Sequence, residues 1–468
     1  MTIWIEKKII KTVLNFYSAA IQSQKEKNLY RSLAKSDAVA ATTIRRGAKK
    51  LTSFCCNDYL ALSQNSQVKN AAIAAIKKFG VGARASRYVT GNNSLYEKLE
   101  KQIAKMKNCS DSIVFSSGYA AAIGVVPALV AEGDLILMDR LMHSSAIDGA
   151  KLSGARLMRF FHNDVSHAKK ILQENRHKFK KCLIVTEAVF SMDGDVGEVF
   201  ELLKLAQEFD AILLSDAAHD LFLKNGLQVR PRREDGVTIL GEVTTVGKVT
   251  TVSEVVKVSE VLNVGEVTIV GEVARKNVCH FTHGRHLTQD CHHGRHLTHN
   301  CHPVFTTGSS DLENYLQLGT LSKAVGTLGG YVAGDKILIN YLRNFAKSAI
   351  YSTALPPAIL AASLASLKII EKKNFGQKAL ENAQYFCELM NLPKPESAIV
   401  PIILGENKKT LAAAKKLEER GFLVSAIRPP TVEAGKARLR ITFSSAHKKS
   451  QIKKLAQVLQ VEVFLGKK

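Results

Sequence analysis

The sequence predicts an α/β protein: a large domain built on a mainly parallel sheet wrapped by helices, followed by a smaller α+β domain. Two observations carry this. From about residue 50 onward, short apolar runs alternate with amphipathic stretches, the pattern of repeated βα units. After about residue 345 the alternation gives way to a long helical stretch and then to a mixed tail with strand-like runs.

Taken in order, residues 1–45 read as a polar, helical N-terminal arm. Leu95, Leu99, Ile103 and Met106 recur at helical spacing in LYEKLEKQIAKM and give one apolar stripe. Ser112–Ser116 (SIVFS), Leu135–Asp139 (LILMD), Leu183–Glu187 (LIVTE) and Ala211–Asp216 (AILLSD) read as buried strands. Open α/β sheets bind ligands beyond the carboxyl ends of their strands, so the residues after these runs are where chemistry is expected. In the tail, PIILG, FLVSAI and RLRITFS are candidate strands. The expected division is an arm over 1–45, a large domain over 46–345, and a linking helix with a small C-terminal domain over 346–468.

One region breaks the pattern. Residues 241–276 repeat a valine-bearing hexapeptide, and 284–303 hold a ten-residue tandem repeat, GRHLTQDCHH then GRHLTHNCHP. The stretch 226–306 is therefore expected to be an insertion, irregular rather than a short β-solenoid. Cys279, Cys291 and Cys301 lie there among many histidines, which leaves structural zinc open as an alternative, although no CxxC pair occurs.

Composition narrows the classes. Lysine and arginine number 65 against 42 acidic residues, a net charge of +23. A basic surface attracts anions, but the lysines are scattered in pairs without aromatic interleaving, so nucleic-acid binding is not expected. No apolar run reaches bilayer thickness and no secretory signal is visible, so no membrane role is expected and a cytoplasmic location is. Eight cysteines over so long a chain read as reduced thiols.

The strongest local signal is Gly319-Thr320-Leu321-Ser322-Lys323-Ala324, followed by the glycine-rich GTLGGYVAG. A lysine among small and hydroxylated residues suits an amine that an aldehyde cofactor must approach, with hydroxyls nearby for its phosphate. Asp216-Ala217-Ala218-His219 closes an apolar strand, where a carboxylate can keep a pyridine nitrogen protonated. Ser116-Ser117-Gly118-Tyr119 joins a strand to a helix, a site for phosphate on backbone N–H groups. His143 follows LILMD, placed to stack on a planar ring.

In this order, together with CCNDYLALS (55–63), FSSGYAAAIGVV (115–126), FHNDVSHAKKIL (161–172), VTEAVFSMDGD (185–195) and AIRPPTVEAGKARLRITFSSAH (426–447), these motifs resemble the α-oxoamine synthase family of fold-type I pyridoxal-phosphate (PLP) enzymes. The resemblance covers nearly the whole chain outside roughly 226–310. It implies a PLP cofactor attached to Lys323, Asp216 at the pyridine nitrogen, His219 and Ser191 on the phenolic-oxygen side, and His143 over the ring. It also implies Gly118, Tyr119 and Thr320 at the phosphate, with Thr353 reaching it from the neighbouring subunit of a homodimer. Arg31, Asn57, Glu187, Thr431 and Arg440 would meet substrate or the reacting centre. The implied reaction joins an amino acid to an acyl thioester with loss of CO2. IYSTALPP and AIRPPTVEAGKARLRIT favour the biotin-pathway branch, with L-alanine and pimeloyl-CoA or pimeloyl-ACP as substrates, over glycine C-acetyltransferase or 5-aminolevulinate synthase. Two alternatives stay open: another family member using glycine or a shorter thioester, and a catalytically impaired relative whose insertion binds metal or anions.

Two departures stand out. DAAHD replaces the family's DDAHG or DEAHS, so Asp220 stands where a glycine's freedom would be lost and strain is expected. The ~100 residues between His219 and Gly319 are about three times the family's usual length there, unusual for a compact domain.

Overall fold

The computed structural model describes residues 2–222 and 314–465, with side chains from 14 to 222 and from 314 to 463. The repeats and the Cys/His cluster lie outside the described residues.

The apolar runs become a seven-stranded sheet in the order β4-β10-β9-β8-β7-β5-β6. Its strands are β4 (Asp111–Phe115), β5 (Leu135–Asp139), β6 (Arg156–Phe160), β7 (Cys182–Glu187), β8 (Ile212–Asp216), β9 (Tyr315–Thr320) and β10 (Gly330–Gly334). β6, β5, β7, β8 and β9 run parallel, while β10 is antiparallel to both β9 and β4. Strands covered on both faces need apolar residues at every position, and β5 and β7 are buried throughout. The three expected strands from SIVFS, LIVTE and AILLSD match to within one residue at each end, and LILMD matches at both.

Helices cover the sheet as the periodicity indicates. Among the helices, α1 (Thr2–Glu26) opens the chain and α2 (Ser66–Phe79) is capped by Asn65, whose side chain accepts the Gln67 N–H. The LYEKLEKQIAKM stripe forms α3 (Ser94–Met106), with Leu99 and Ile103 buried. α4 (Gly118–Leu129) is apolar nearly all round and buries Ala121, Ala122, Val125 and Val126. It packs tightly on α5 (Ser144–Ser153), where a Cβ on Gly149 would lie 2.9 Å from the Ala122 carbonyl oxygen. Among the described residues no helix is long and apolar enough to cross a membrane.

The tail forms a three-stranded antiparallel sheet of β11 (Ile399–Gly405), β13 (Ser425–Ile427) and β14 (Ala437–Thr442), in the order β11-β14-β13. Phe386, Leu417 and Leu455 from three helices are buried in its core.

Two expectations need correction. The arm is not helical to residue 45: after α1 the chain forms β1 (Asp37–Ala40) and β2 (Thr43–Arg46), which extend a sheet through β3 (Lys49–Ser53) to β12 (Phe422–Leu423). FLVSAI is not one strand either. Phe422 and Leu423 pair in parallel with Thr52 and Ser53, buried Val424 turns the chain, and Ser425–Ile427 pair with β14. The run is too short to reveal a change of sheet by its pattern, although its first half is buried and its second half only partly so.

Candidate active site

The parallel strands all present their carboxyl ends on one edge, and four of these ends carry the candidate chemistry. His143 follows β5 and caps α5, its Nδ1 accepting the Ser145 N–H at 3.2 Å. Glu187 ends β7, Asp216 ends β8, and Thr320 ends β9, three residues before Lys323. Strand order reverses between β5 and β7, the kind of switch point where α/β sheets open a crevice. Register then brings two carboxyls side by side, since Glu187 pairs directly with Asp216.

Lys323 lies at the centre. Its Nζ is 2.7 Å from His219 Nε2, and His219 Nδ1 is 2.7 Å from the Tyr59 hydroxyl. Burial lowers the Lys323 amine to about 8, with Arg440 adding to the shift and the Asp216 and Glu187 carboxyls opposing it. Burial likewise holds His219 well below the usual imidazole value, reinforced by the Lys323 and Arg440 charges, so its ring is neutral near neutral pH. A neutral ring that accepts from Lys323 at Nε2 carries its proton on Nδ1 and donates it to Tyr59. Tyr59 then donates to Asn57 Oδ1 at 3.2 Å. Arg440 completes the network, donating to Asn57 Oδ1 and to the Tyr59 hydroxyl, each at 3.2 Å, and to the Ser191 carbonyl oxygen at 2.5 Å. A guanidinium has five N–H donors, so two remain for an anionic ligand.

The acids differ in state. Burial, with the neighbouring Asp216 charge, pushes the Glu187 carboxyl well above the usual range. Glu187 Oε2 accepts the Ser191 N–H at 2.9 Å, while buried Oε1 has no hydrogen-bond partner among the described residues. Asp216 Oδ1 accepts the Ala218 N–H at 2.9 Å, and no described residue donates to Oδ2. His143 stays accessible to solvent; crowding by surrounding protein and the Lys323 charge lower its pKa, against the pull of Asp216.

The strand-to-helix turn at 116–119 supplies a cradle. Ser117 Oγ caps the Ala120 N–H at 3.0 Å, leaving the earlier helix-start amides of Gly118 and Tyr119, which have no intrahelical acceptor. Thr320 closes one side: a Cβ on Gly118 would lie 3.5 Å from the Thr320 Cβ. On the other side Gly330 is so close to the turn that its Cβ would lie 2.3 Å from the Ser117 carbonyl oxygen. Ser322 Oγ is 2.7 Å from Thr320 Oγ1.

Lys323, Asp216, His219, Glu187, His143, Ser191, Asn57 and Arg440 thus come together, and Gly118, Tyr119 and Thr320 form the adjoining cradle. Among the described residues, three candidates make no hydrogen bond to this network. Arg31 donates to Thr431 Oγ1 at 3.0 Å in an exposed pair, and among the described residues neither bonds to Lys323 or Asp216. Thr353 bridges to Ser86. The expected strain at Asp220 is absent: its φ is not positive, and its side chain is ion-paired with Lys107. Sequence reasoning also missed Tyr59, although it stands within the quoted CCNDYLALS; a tyrosine in a mostly apolar run reads as core until its hydroxyl is seen to meet a histidine.

The family model for aminotransferase class I and II matches residues 49–253 and 283–459. The chain belongs to this aminotransferase family. Among its curated relatives, the 8-amino-7-oxononanoate synthase of Methylocella silvestris is 38% identical over 89% of this chain and 98% of its own length. That of Methylobacterium nodulans is 36% identical over 95% of each. Among solved structures, the 8-amino-7-oxononanoate synthase of Francisella tularensis superposes with a TM-score of 0.60 at 25% identity, covering 89% of this chain and 98% of that one. The serine palmitoyltransferase of S. paucimobilis, solved with PLP and myriocin, gives a TM-score of 0.71 at 20% identity, covering 96% and 97%. This second likeness shows that the aminotransferase chain has the fold-type I architecture. The matched segments of the family include every residue of the Lys323 network.

Proposed function

We propose that this chain is a PLP-dependent acyltransferase that condenses L-alanine with a pimeloyl thioester, carried on CoA or ACP, releasing CO2 and forming 8-amino-7-oxononanoate for biotin synthesis. We further propose that it works as a cytoplasmic homodimer. The observation that carries the reading is a buried amine of depressed pKa, Lys323, held 2.7 Å from a neutral His219 and within electrostatic reach of Asp216 at the end of β8.

The residues present fit PLP. The Asp216 oxygen without a donor suits a protonated pyridine nitrogen, the Gly118 and Tyr119 amides with Thr320 suit a phosphate, and the accessible His143 ring suits a planar face. Ser191 and His219 would line the phenolic-oxygen side, and Thr353 would reach the phosphate from a second copy. When bound, PLP supplies an electron sink for negative charge at the substrate α-carbon.

The remaining work falls to the protein. Asp216 is a fixed negative charge that keeps the pyridine nitrogen protonated, without reorganising during the reaction. Lys323, with an amine near 8, has a useful neutral fraction at neutral pH; it takes the α-proton of alanine and later returns one to the product carbon. His219 and Tyr59 hold that amine in one orientation through their two 2.7 Å contacts. The two Arg440 N–H groups without an acceptor among the described residues would hold the alanine carboxylate until it leaves as CO2. Glu187, its carboxyl pushed up by burial and by the Asp216 charge, would act at the reacting centre. Arg31 would be a second candidate for the substrate carboxylate, and Thr431 would sit by the substrate.

The test is CO2 release from carboxyl-labelled L-alanine by the full chain loaded with PLP. Release that requires pimeloyl-CoA, and exceeds that with glycine or acetyl-CoA by at least about tenfold, is expected. Preference for glycine or acetyl-CoA would move the protein to another branch of the family, and no thioester-dependent release with PLP bound would make it an inactive relative.

A further inference from the structure

The turn that carries His219 ends in Asp220, where the family motif described above has glycine or serine. Asp220 is buried and both its oxygens are engaged: Oδ1 accepts the Phe222 N–H at 2.8 Å, and Oδ2 pairs with Lys107 Nζ. Its own N–H donates to the Ala217 carbonyl oxygen at 3.1 Å, so the side chain and backbone close the turn together. Lys107 is equally buried, with its side chain 4% exposed, and its Nζ lies 4.6 Å over the Phe222 ring.

Lys107 also touches the other arm of the site. It is the residue that ends α3, and its carbonyl oxygen accepts Gln317 Nε2 at 3.1 Å. Gln317 lies in β9, the strand that leads to Lys323. One residue therefore holds the turn bearing His219 through its ammonium and the strand leading to Lys323 through its carbonyl. These are the two segments that must meet for the His219–Lys323 contact to form. Two buried charges gain little net stability over apolar residues of the same size, because desolvation offsets most of their attraction. What the pair adds over glycine is a fixed orientation for a turn that would otherwise have more backbone freedom.

We propose that Lys107 and Asp220 form a positioning pair that replaces the motif's glycine and keeps His219 in line with Lys323 and its cofactor. Neither is a catalytic residue; both act through His219. The inference rests on the PLP reading above.

Equilibrium dialysis of PLP against the full chain, alongside thermal melting, tests it with three variants: K107R, K107M and K107M/D220N. K107R keeps the charge and is expected to bind PLP within about twofold of the parent. K107M leaves a buried carboxylate unpaired and is expected to melt lower and bind PLP at least about tenfold more weakly. K107M/D220N removes both charges at nearly constant volume. It is expected to recover the melting temperature but not the affinity, remaining about tenfold weaker, a split that a purely structural pair would not produce. A double variant that binds PLP within twofold of the parent, or that has no native melting transition, overturns the proposal, as does a K107R variant as weak as the double. A parent chain that binds no PLP would instead overturn the functional reading, before any variant is compared.

Discussion

Lys323→Ala is expected to reduce turnover by about 10³-fold or more, because under the proposed function it removes both the covalent anchor for the cofactor and the group that moves the substrate proton. The fold should survive. Among the described residues Lys323 contributes a single side-chain hydrogen bond, to His219, and burial disfavours its charged form. Its folded-state pKa lies below the ordinary lysine value, so the folded protein binds this proton less tightly than the unfolded chain. The resulting penalty on stability is fully present below about pH 8 and disappears as pH rises from there toward the ordinary value of 10.5. Removing the amine should therefore leave the melting temperature at pH 7 unchanged or slightly raised while turnover collapses. Steady-state assays and differential scanning calorimetry on parent and variant check both halves. A variant that keeps more than a tenth of parent turnover would remove Lys323 from the chemistry.

Asp216→Asn is expected to lower turnover by about 10²–10³-fold, the usual cost of removing one preorganised electrostatic partner from a buried site. Asparagine keeps the size and the oxygen that accepts the Ala218 N–H, so the turn stays closed. What it loses is the charge that keeps a bound pyridine nitrogen protonated. A second effect follows in the neighbouring strand. After burial, the Asp216 charge is the second cause that raises the Glu187 carboxyl, so the variant should shift it back toward its ordinary range. The folded-state pKa of Glu187 lies above its unfolded value, so the parent is penalised as pH rises through the ordinary glutamate range, and the variant should be penalised less. Greater resistance to alkaline unfolding, together with loss of turnover, is the expected signature. It is measured by urea denaturation at pH 6 and pH 8.

Much of this was legible in the sequence. Central strands must be apolar at every position, so LILMD and LIVTE announce themselves, and the residue ending each run marks the edge where ligands bind. That is why Asp216 and His143 could be found as candidates, while Lys323 came from the small, hydroxylated residues around it and Glu187 from the family resemblance. Three things stayed hidden for physical reasons. Tyr59 sits in an apolar stretch and becomes functional only through a contact with His219, 160 residues away. Asp220 looked like a source of strain because local reasoning sees a missing glycine but not Lys107, 113 residues away, which supplies its partner. The change of sheet at Val424 is hidden because the run on either side is only two or three residues long, too short for a period to show. Arg31 and Thr431 were assigned by resemblance alone. They find each other 400 residues apart, and among the described residues neither bonds to Lys323.

The central claim is that one amine, and no other lysine of this lysine-rich chain, is prepared to hold the cofactor. The most direct measurement is borohydride reduction of the full chain with PLP across a pH series, followed by peptide mass mapping. The account predicts a pyridoxyl mass on the peptide containing Lys323, with stoichiometry rising through about pH 8, while other lysines stay essentially unlabelled at limiting PLP. Label spread over surface lysines, or concentrated on any peptide other than that one, would contradict it.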